Sequence, residues 1–130
     1  LLEELTRLEH EMAELLTPVQ KVPYVVFHDA YQYLDKRFGL TPVGTIVAQP
    51  GSLPGARRVA EMRESVRKTG ARCVFSEPQF DPRLVTVVTD GTDVGRGELD
   101  PLGAALEPGS KLYFDLMRGM ALTLRDCLSS

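Results

Sequence analysis

Tyr24-Val25-Val26-Phe27-His28-Asp29-Ala30-Tyr31 is the stretch that decides the fold. Four apolar, mostly strand-favouring residues run into a histidine, and a helical pattern opens behind it. This predicts a buried strand that ends at His28 and turns into a helix capped by Asp29. In an α/β sheet, ligands bind beyond the carboxyl ends of the strands. A histidine in that place is a candidate metal ligand or acid/base. The plain alternative is a hydrogen-bonded structural residue.

The pattern repeats downstream. The helix opened at Asp29 runs to about Phe38 and stops at Gly39. Pro42 restarts the chain, and Thr45-Ile46-Val47-Ala48 forms a second short apolar run. Its lack of polar alternation predicts a strand buried on both faces. After the loop Gln49–Gly55 a helix is expected from about Pro54 to Thr69, with Ser52 as its N-cap and Val59, Met62 and Val66 on its inner face. Cys73-Val74-Phe75-Ser76 is the third strand and closes at Glu77. Asp81-Pro82 reads as an N-cap followed by an N1 proline, opening a helix to about Val88. Val94 to Leu99 is a fourth strand, weakened by Gly95 and Gly97, and it closes at Asp100-Pro101-Leu102-Gly103. A last helix runs from near Ser110 to about Leu128, with Tyr113, Met117, Met120, Leu124 and Cys127 on one face.

Upstream, Leu1, Leu5, Leu8, Met12 and Leu15 recur at spacings of three and four, on an amphipathic helix that ends before Pro18. Glutamates and Arg7 make its solvated face, and His10 among them reads as an exposed histidine. The chain opens inside this helical pattern and not at a Met. A preceding part, against which the helix would pack, is therefore expected. The order is a helix followed by four strand–helix units. The expected fold class is α/β, a four-stranded parallel sheet covered by helices with right-handed crossovers.

Bulk properties narrow the function. The 130 residues make one domain, or one lobe of something larger, with 43% hydrophobic and 25% charged residues, as in ordinary globular domains. A net charge of −3 and the lack of a dense Lys/Arg stripe argue against a nucleic-acid partner. No apolar run approaches the roughly 18 residues that span a bilayer. Cys73 and Cys127 form no CxxC motif, so they are either two buried thiols or one structural disulfide. The turn after the first strand holds no glycine run, which disfavours dinucleotide and P-loop sites, and no HExxH motif exists.

Three polar residues close three strands: His28, Glu77 and Asp100. A parallel sheet brings those ends to one edge. A neutral imidazole and one or two carboxylates suit a divalent metal such as Zn²⁺, although a tetrahedral zinc site would need further ligands from elsewhere. The same residues would serve a small metal-dependent α/β enzyme as a general acid/base set.

Phe27-His28-Asp29-Ala30-Tyr31 with Phe38-Gly39-Leu40-Thr41-Pro42 resembles the C-terminal lobe of the zinc-uptake solute-binding proteins of ABC transporters. So do Cys73-Val74-Phe75-Ser76-Glu77-Pro78-Gln79-Phe80, Leu99-Asp100-Pro101-Leu102-Gly103 and the terminal Cys127. The resemblance implies two α/β lobes joined by a long helix, with zinc held between them. Residues 1–20 would be the end of that helix and a linker, and residues 21–130 the C-terminal lobe. It implies a binding protein of the periplasm and not an enzyme, a membrane permease as partner, and an absent N-terminal lobe carrying the remaining zinc ligands. His28 resembles the zinc-binding histidine of this lobe and Asp100 its carboxylate ligand. Glu77 falls in a motif beside the site and stands as a supporting residue. Cys73 and Cys127 resemble the family's disulfide pair. Histidine at position 28 favours zinc over the manganese receptors of the wider family.

Overall fold

A computed structural model describes residues 1–46 and 53–130. Its elements are α1 (Leu2–Leu16), a short 3-10 turn (Thr17–Val19), β1 (Pro23–Val26), α2 (Gln32–Phe38), β2 (Thr41–Thr45), α3 (Ala56–Thr69), β3 (Cys73–Ser76), α4 (Pro82–Thr89), β4 (Gly95–Glu98) and α5 (Leu112–Leu128). The four strands form one all-parallel sheet in the order β2-β1-β3-β4.

The central strands β1 and β3 are apolar at nearly every position because both of their faces are covered. Side chains alternate across a strand, and the two faces feed separate cores. Tyr24, Val26, Cys73 and Phe75 point to a core shared with α1, α2 and α5. Val25, Phe27 and Val74 point to a second core beneath α3 and α4. Tyr24 meets Phe75 edge to face at 5.7 Å, and Phe27 meets Phe80 in the same way at 5.4 Å. These are favoured geometries for aromatic pairs.

The helix at the start belongs to this packing. Leu8, Met12 and Leu16 are buried in the first core with Met120, Ala121, Leu124 and Leu128 of α5. Glu11 on α1 accepts a hydrogen bond from Arg118 Nε at 2.8 Å, and Glu9 pairs with Arg37 of α2. The Arg118 guanidinium holds the Glu11 carboxyl below its ordinary range. Leu1 and Leu2 remain exposed.

Four local expectations need correction. Asp29 does not cap α2. Ala30 N–H donates to His28 O at 2.9 Å, which makes a tight bend of residues 28–30, and the helix begins two residues late with Tyr31 in the cap position. The second strand lies earlier than the apolar run implied, at Thr41–Thr45, and it is not buried on both faces. It is a sheet edge. Pro42 is tolerated there because an edge strand pairs on one side only. A bulge at the Tyr24/Val25 step takes in one extra residue of β2. Ile46 continues the pairing by donating its N–H to Val26 O at 2.8 Å, while Val47 and Ala48 lie outside the described residues. The expected cap Ser52 also lies outside them, and Gly55 occupies the N-cap of α3. On α5 Met117, Met120, Leu124 and Cys127 pack in or against the first core as expected, joined by Ala121 and Leu128, and it is Tyr113 that departs by being half exposed. Other local signals match: Gly39 and Gly70 close their helices in the left-handed region, and Asp81 Oδ1 accepts from Arg83 N at 2.9 Å to cap α4.

Cys73 and Cys127 form a disulfide that ties β3 to α5 across 54 residues. The fourth strand is shaped around it. A β-carbon at Gly95 would lie 2.9 Å from Cys127 Sγ, and one at Gly97 would lie 2.7 Å from Phe75 Cε1. Neither site has room for a side chain, so the two glycines that weaken the strand signal admit the bridge and the Phe75 ring. In the chain-entropy model a bridge closing a loop of this length contributes about 4 kcal/mol. The double variant C73A/C127A is expected to lose about that amount in urea unfolding with the fold retained. A loss below about 1 kcal/mol would show the bridge to be energetically idle.

Candidate metal centre

The site edge is built by the ends of β1, β3 and β4. Phe27 N–H donates to Phe75 O at 3.0 Å, and Leu99 N–H donates to Ser76 O at 2.8 Å. These two bonds extend the ladder one step past the strands and fix where the chain leaves the sheet. The next residues in each case are His28, Glu77 and Asp100. All three sequence-expected residues therefore lie along the carboxyl edge of adjacent strands.

Their environments differ. Phe27 is fully buried and anchors the turn, whereas the His28 side chain is 59% exposed. Glu77 is buried, at 6% exposure. His28 Nδ1 lies 3.4 Å from Glu77 Oε2, without the alignment of a hydrogen bond. Glu77 Oε2 has no hydrogen-bond partner among the described residues. The Glu77 backbone is held by a turn in which Phe80 N–H donates to its carbonyl at 3.1 Å. Asp100 is fixed by a local Asx turn. Its Oδ1 accepts from Leu102 N at 3.2 Å and from Gly103 N at 3.0 Å. Gly103 adopts a φ of 67°, in the left-handed region that favours glycine, so the sequence Asp-Pro-Leu-Gly is what this turn requires.

One residue of the edge was not singled out from the sequence. Tyr31 is 4% exposed, and its hydroxyl is also without a hydrogen-bond partner among the described residues. Burial pushes its phenol well above the ordinary tyrosine range, and the carboxylates of Glu77 and Asp100 push it further in the same direction. The proton thus stays on, and the Tyr31 hydroxyl is a buried donor. The available signal was its spacing, three residues beyond the strand-end histidine at the start of α2.

The donor set suits a divalent metal. An exposed imidazole backed by a buried carboxylate is the arrangement that orients histidine ligands, because the carboxylate accepts a hydrogen bond from one ring N–H and leaves the lone pair of the other nitrogen free. The orphaned Glu77 Oε2 fits that part. Among the described residues no group of three or more His, Cys, Asp or Glu side chains is arranged to hold a metal ion. A cleft of about 480 Å³ opens beside the edge between α2 and β2, lined in part by Asp29, Tyr31, Asp35 and Thr45.

An α/β domain with metal-type donors along one sheet edge is the form of a solute-binding lobe. Comparison with known proteins gives the family. The model of the ZnuA family, described as zinc-uptake complex component A, periplasmic, matches residues 1–127, and this chain belongs to that family. The high-affinity zinc uptake system protein ZnuA of Brucella suis is 50% identical over 127 residues, which is 98% of this chain and 38% of that protein. Its counterpart in Paracoccus denitrificans is 39% identical over 129 residues, 98% of this chain and 40% of that one. The chain thus spans about two fifths of the length of these curated relatives, and it corresponds to their C-terminal lobe. Among solved structures, Zn(II)-bound AdcA from Streptococcus pneumoniae superposes with a TM-score of 0.77 at 26% identity, covering 98% of this chain and 28% of that chain. The laminin-binding adhesin Lmb from Streptococcus agalactiae gives 0.71 at 28% identity, covering 97% and 47%.

The Asp100 turn generates a prediction about stability. D100A removes both side-chain acceptor bonds and is expected to cost about 1–2 kcal/mol in urea unfolding. D100N keeps an acceptor at the same place and should cost less than half as much. Equal losses for the two variants would show that the charge, not the turn, holds this segment.

Proposed function

We propose that this chain is the metal-capturing C-terminal lobe of a two-lobed periplasmic receptor, which takes up Zn²⁺ between its lobes and delivers it to an ABC permease. His28 and Asp100 are this lobe's ligands, and the other lobe supplies the rest of the coordination shell. Residues 1–20 are the end of the connecting helix and its linker. The observation that carries this reading is the pairing at the sheet edge: an exposed His28 backed at 3.4 Å by a buried, unpartnered Glu77 oxygen. Membership of a zinc-uptake family supports zinc as the cargo. The comparisons give no support to the alternative of a metal-dependent enzyme.

The chemistry is reversible capture. A neutral imidazole nitrogen and a carboxylate oxygen bond zinc without any covalent change in the protein. Protons compete with the metal for the imidazole, so capture weakens as the pH falls. Ligands divided between two lobes make binding depend on closure. A partner permease would then act on the closed, loaded form. No helix among the described residues is long and apolar enough to cross a membrane.

The test is zinc titration of the intact two-lobed receptor under chelator competition. H28A and D100A are each expected to weaken binding at least 100-fold, and acidification is expected to lower the affinity of the wild type more than that of H28A. Wild-type affinity in both variants would overturn the assignment.

A further inference from the structure

We propose that Cys127 is a thiol-exchange site: a dithiol oxidoreductase of the CxxC class opens and closes the Cys73–Cys127 bridge through a mixed disulfide on Cys127 Sγ. Cys73 and Gly95 begin their strands, so the site lies at the opposite end of the sheet from His28, Glu77 and Asp100. It is independent of the metal reading.

The two sulfurs of the bridge have unequal surroundings. Cys73 is 0% exposed within the first core. Cys127 is only partly buried, and it lines a surface groove of about 510 Å³ with Arg72, Gly95, Arg96, Thr123 and Ser130. The sequence of β4 leaves this groove open. A β-carbon at Gly95 would lie 2.9 Å from Cys127 Sγ and 3.2 Å from Cys73 Sγ, so a side chain there would occupy the space over the bridge. β4 is also an edge strand, and among the described residues no further strand covers it. Exchange requires a thiolate to reach one sulfur of a disulfide, and access decides which one. Here that sulfur is Cys127 Sγ.

The charge of the groove favours the reaction. Arg72 Nη1 donates to Ser130 O at 2.6 Å and Arg96 Nη1 to Thr86 Oγ1 at 3.3 Å, and neither guanidinium is in an ion pair among the described residues. Asp126, which also lines the groove, is engaged by Arg125 at 2.6 Å. Cationic groups beside a sulfur stabilise its thiolate. Cys127 lies in the last turn of α5, where free carbonyls would oppose a negative charge. Those carbonyls are occupied: Arg125 O accepts from Ser129 N and Oγ, Asp126 O from Ser130 Oγ, and Cys127 O from Ser130 N.

In the opening direction, a thiolate of the reduced CxxC partner attacks Cys127 Sγ. A bond between those two sulfurs forms as the Cys73–Cys127 bond breaks, and Cys73 leaves as a thiolate that takes up a proton. The partner's second cysteine then attacks its own bonded sulfur and releases Cys127, which is protonated in turn. The bridge gains two electrons and two protons, and the partner's two thiols become a disulfide. An oxidised partner runs these steps in reverse, with Cys127 attacking first and Cys73 closing the bridge.

The experiment uses the intact receptor. A reduced thioredoxin-type partner whose second active-site cysteine is replaced by serine is incubated with the native wild type, and the trapped mixed disulfide is located by peptide mass. The partner is expected on Cys127. A partner found on Cys73, or no mixed disulfide in the native receptor, would overturn the proposal. A second measurement follows dithiobisnitrobenzoate reacting with the single bridge thiols of C73S and C127S, with circular dichroism to establish that both are folded. Cys127 in C73S is expected to react about 10-fold faster, or more, than Cys73 in C127S, and the difference should vanish in urea. Equal rates in the folded variants would also overturn it. Should either variant fail to fold, the trapping result on the wild type decides alone.

Discussion

Two backbone hydrogen bonds at the sheet edge, Phe27 N–H to Phe75 O and Leu99 N–H to Ser76 O, set the position of everything that follows. They fix the register of β1 against β3 and of β3 against β4 at the point where each chain leaves the sheet. A slip of one residue in any strand would turn its side chains to the opposite face. It would send Phe27 or Phe75 into the wrong core and move His28, Glu77 or Asp100 off the common edge. The cores therefore guard the site. Full burial of a side chain such as Phe27 is worth about 1.5–3 kcal/mol, and that energy is lost in every alternative register.

The disulfide and the glycines of β4 act on the same constraint from the other end of the sheet. Cys73 starts β3, and its bridge to Cys127 fastens α5 against that strand. Gly95 and Gly97 let the bridge and the Phe75 ring approach β4 closely. A side chain at either glycine would obstruct the pairing of β4 with β3, which sets where Asp100 leaves the sheet. The placement of these candidate residues at the strand ends thus depends on contacts elsewhere along those strands.

Much of this was legible in the sequence, and the reasons are particular. β1 and β3 show as continuous apolar runs because a parallel strand in the sheet interior is covered on both faces. His28 and Glu77 stand out as the polar residues that end such runs, Asp100 follows the weaker fourth strand, and topology puts all three at the carboxyl edge of the sheet. β2 was misplaced because an edge strand carries no such signature: Thr41-Pro42-Val43-Gly44-Thr45 contains a proline and a glycine, and the apolar run beside it drew the assignment forward. Asp29 looked like a cap because capping preferences are local, whereas the bend that displaces the helix is a backbone bond between Ala30 and His28. Tyr31 escaped notice since nothing in an aromatic at a helix start tells that its hydroxyl will be buried. That fact exists only once α2 has packed over the strand ends.

The most direct measurement is the crystal structure of the intact receptor loaded with zinc, with the ion located by its anomalous scattering. The account predicts zinc at the carboxyl edge of the sheet, with His28 Nε2 at about 2.0–2.1 Å and an Asp100 oxygen at about 2.0–2.2 Å. Zinc bound elsewhere, with His28 and Asp100 both outside its coordination shell, would contradict it.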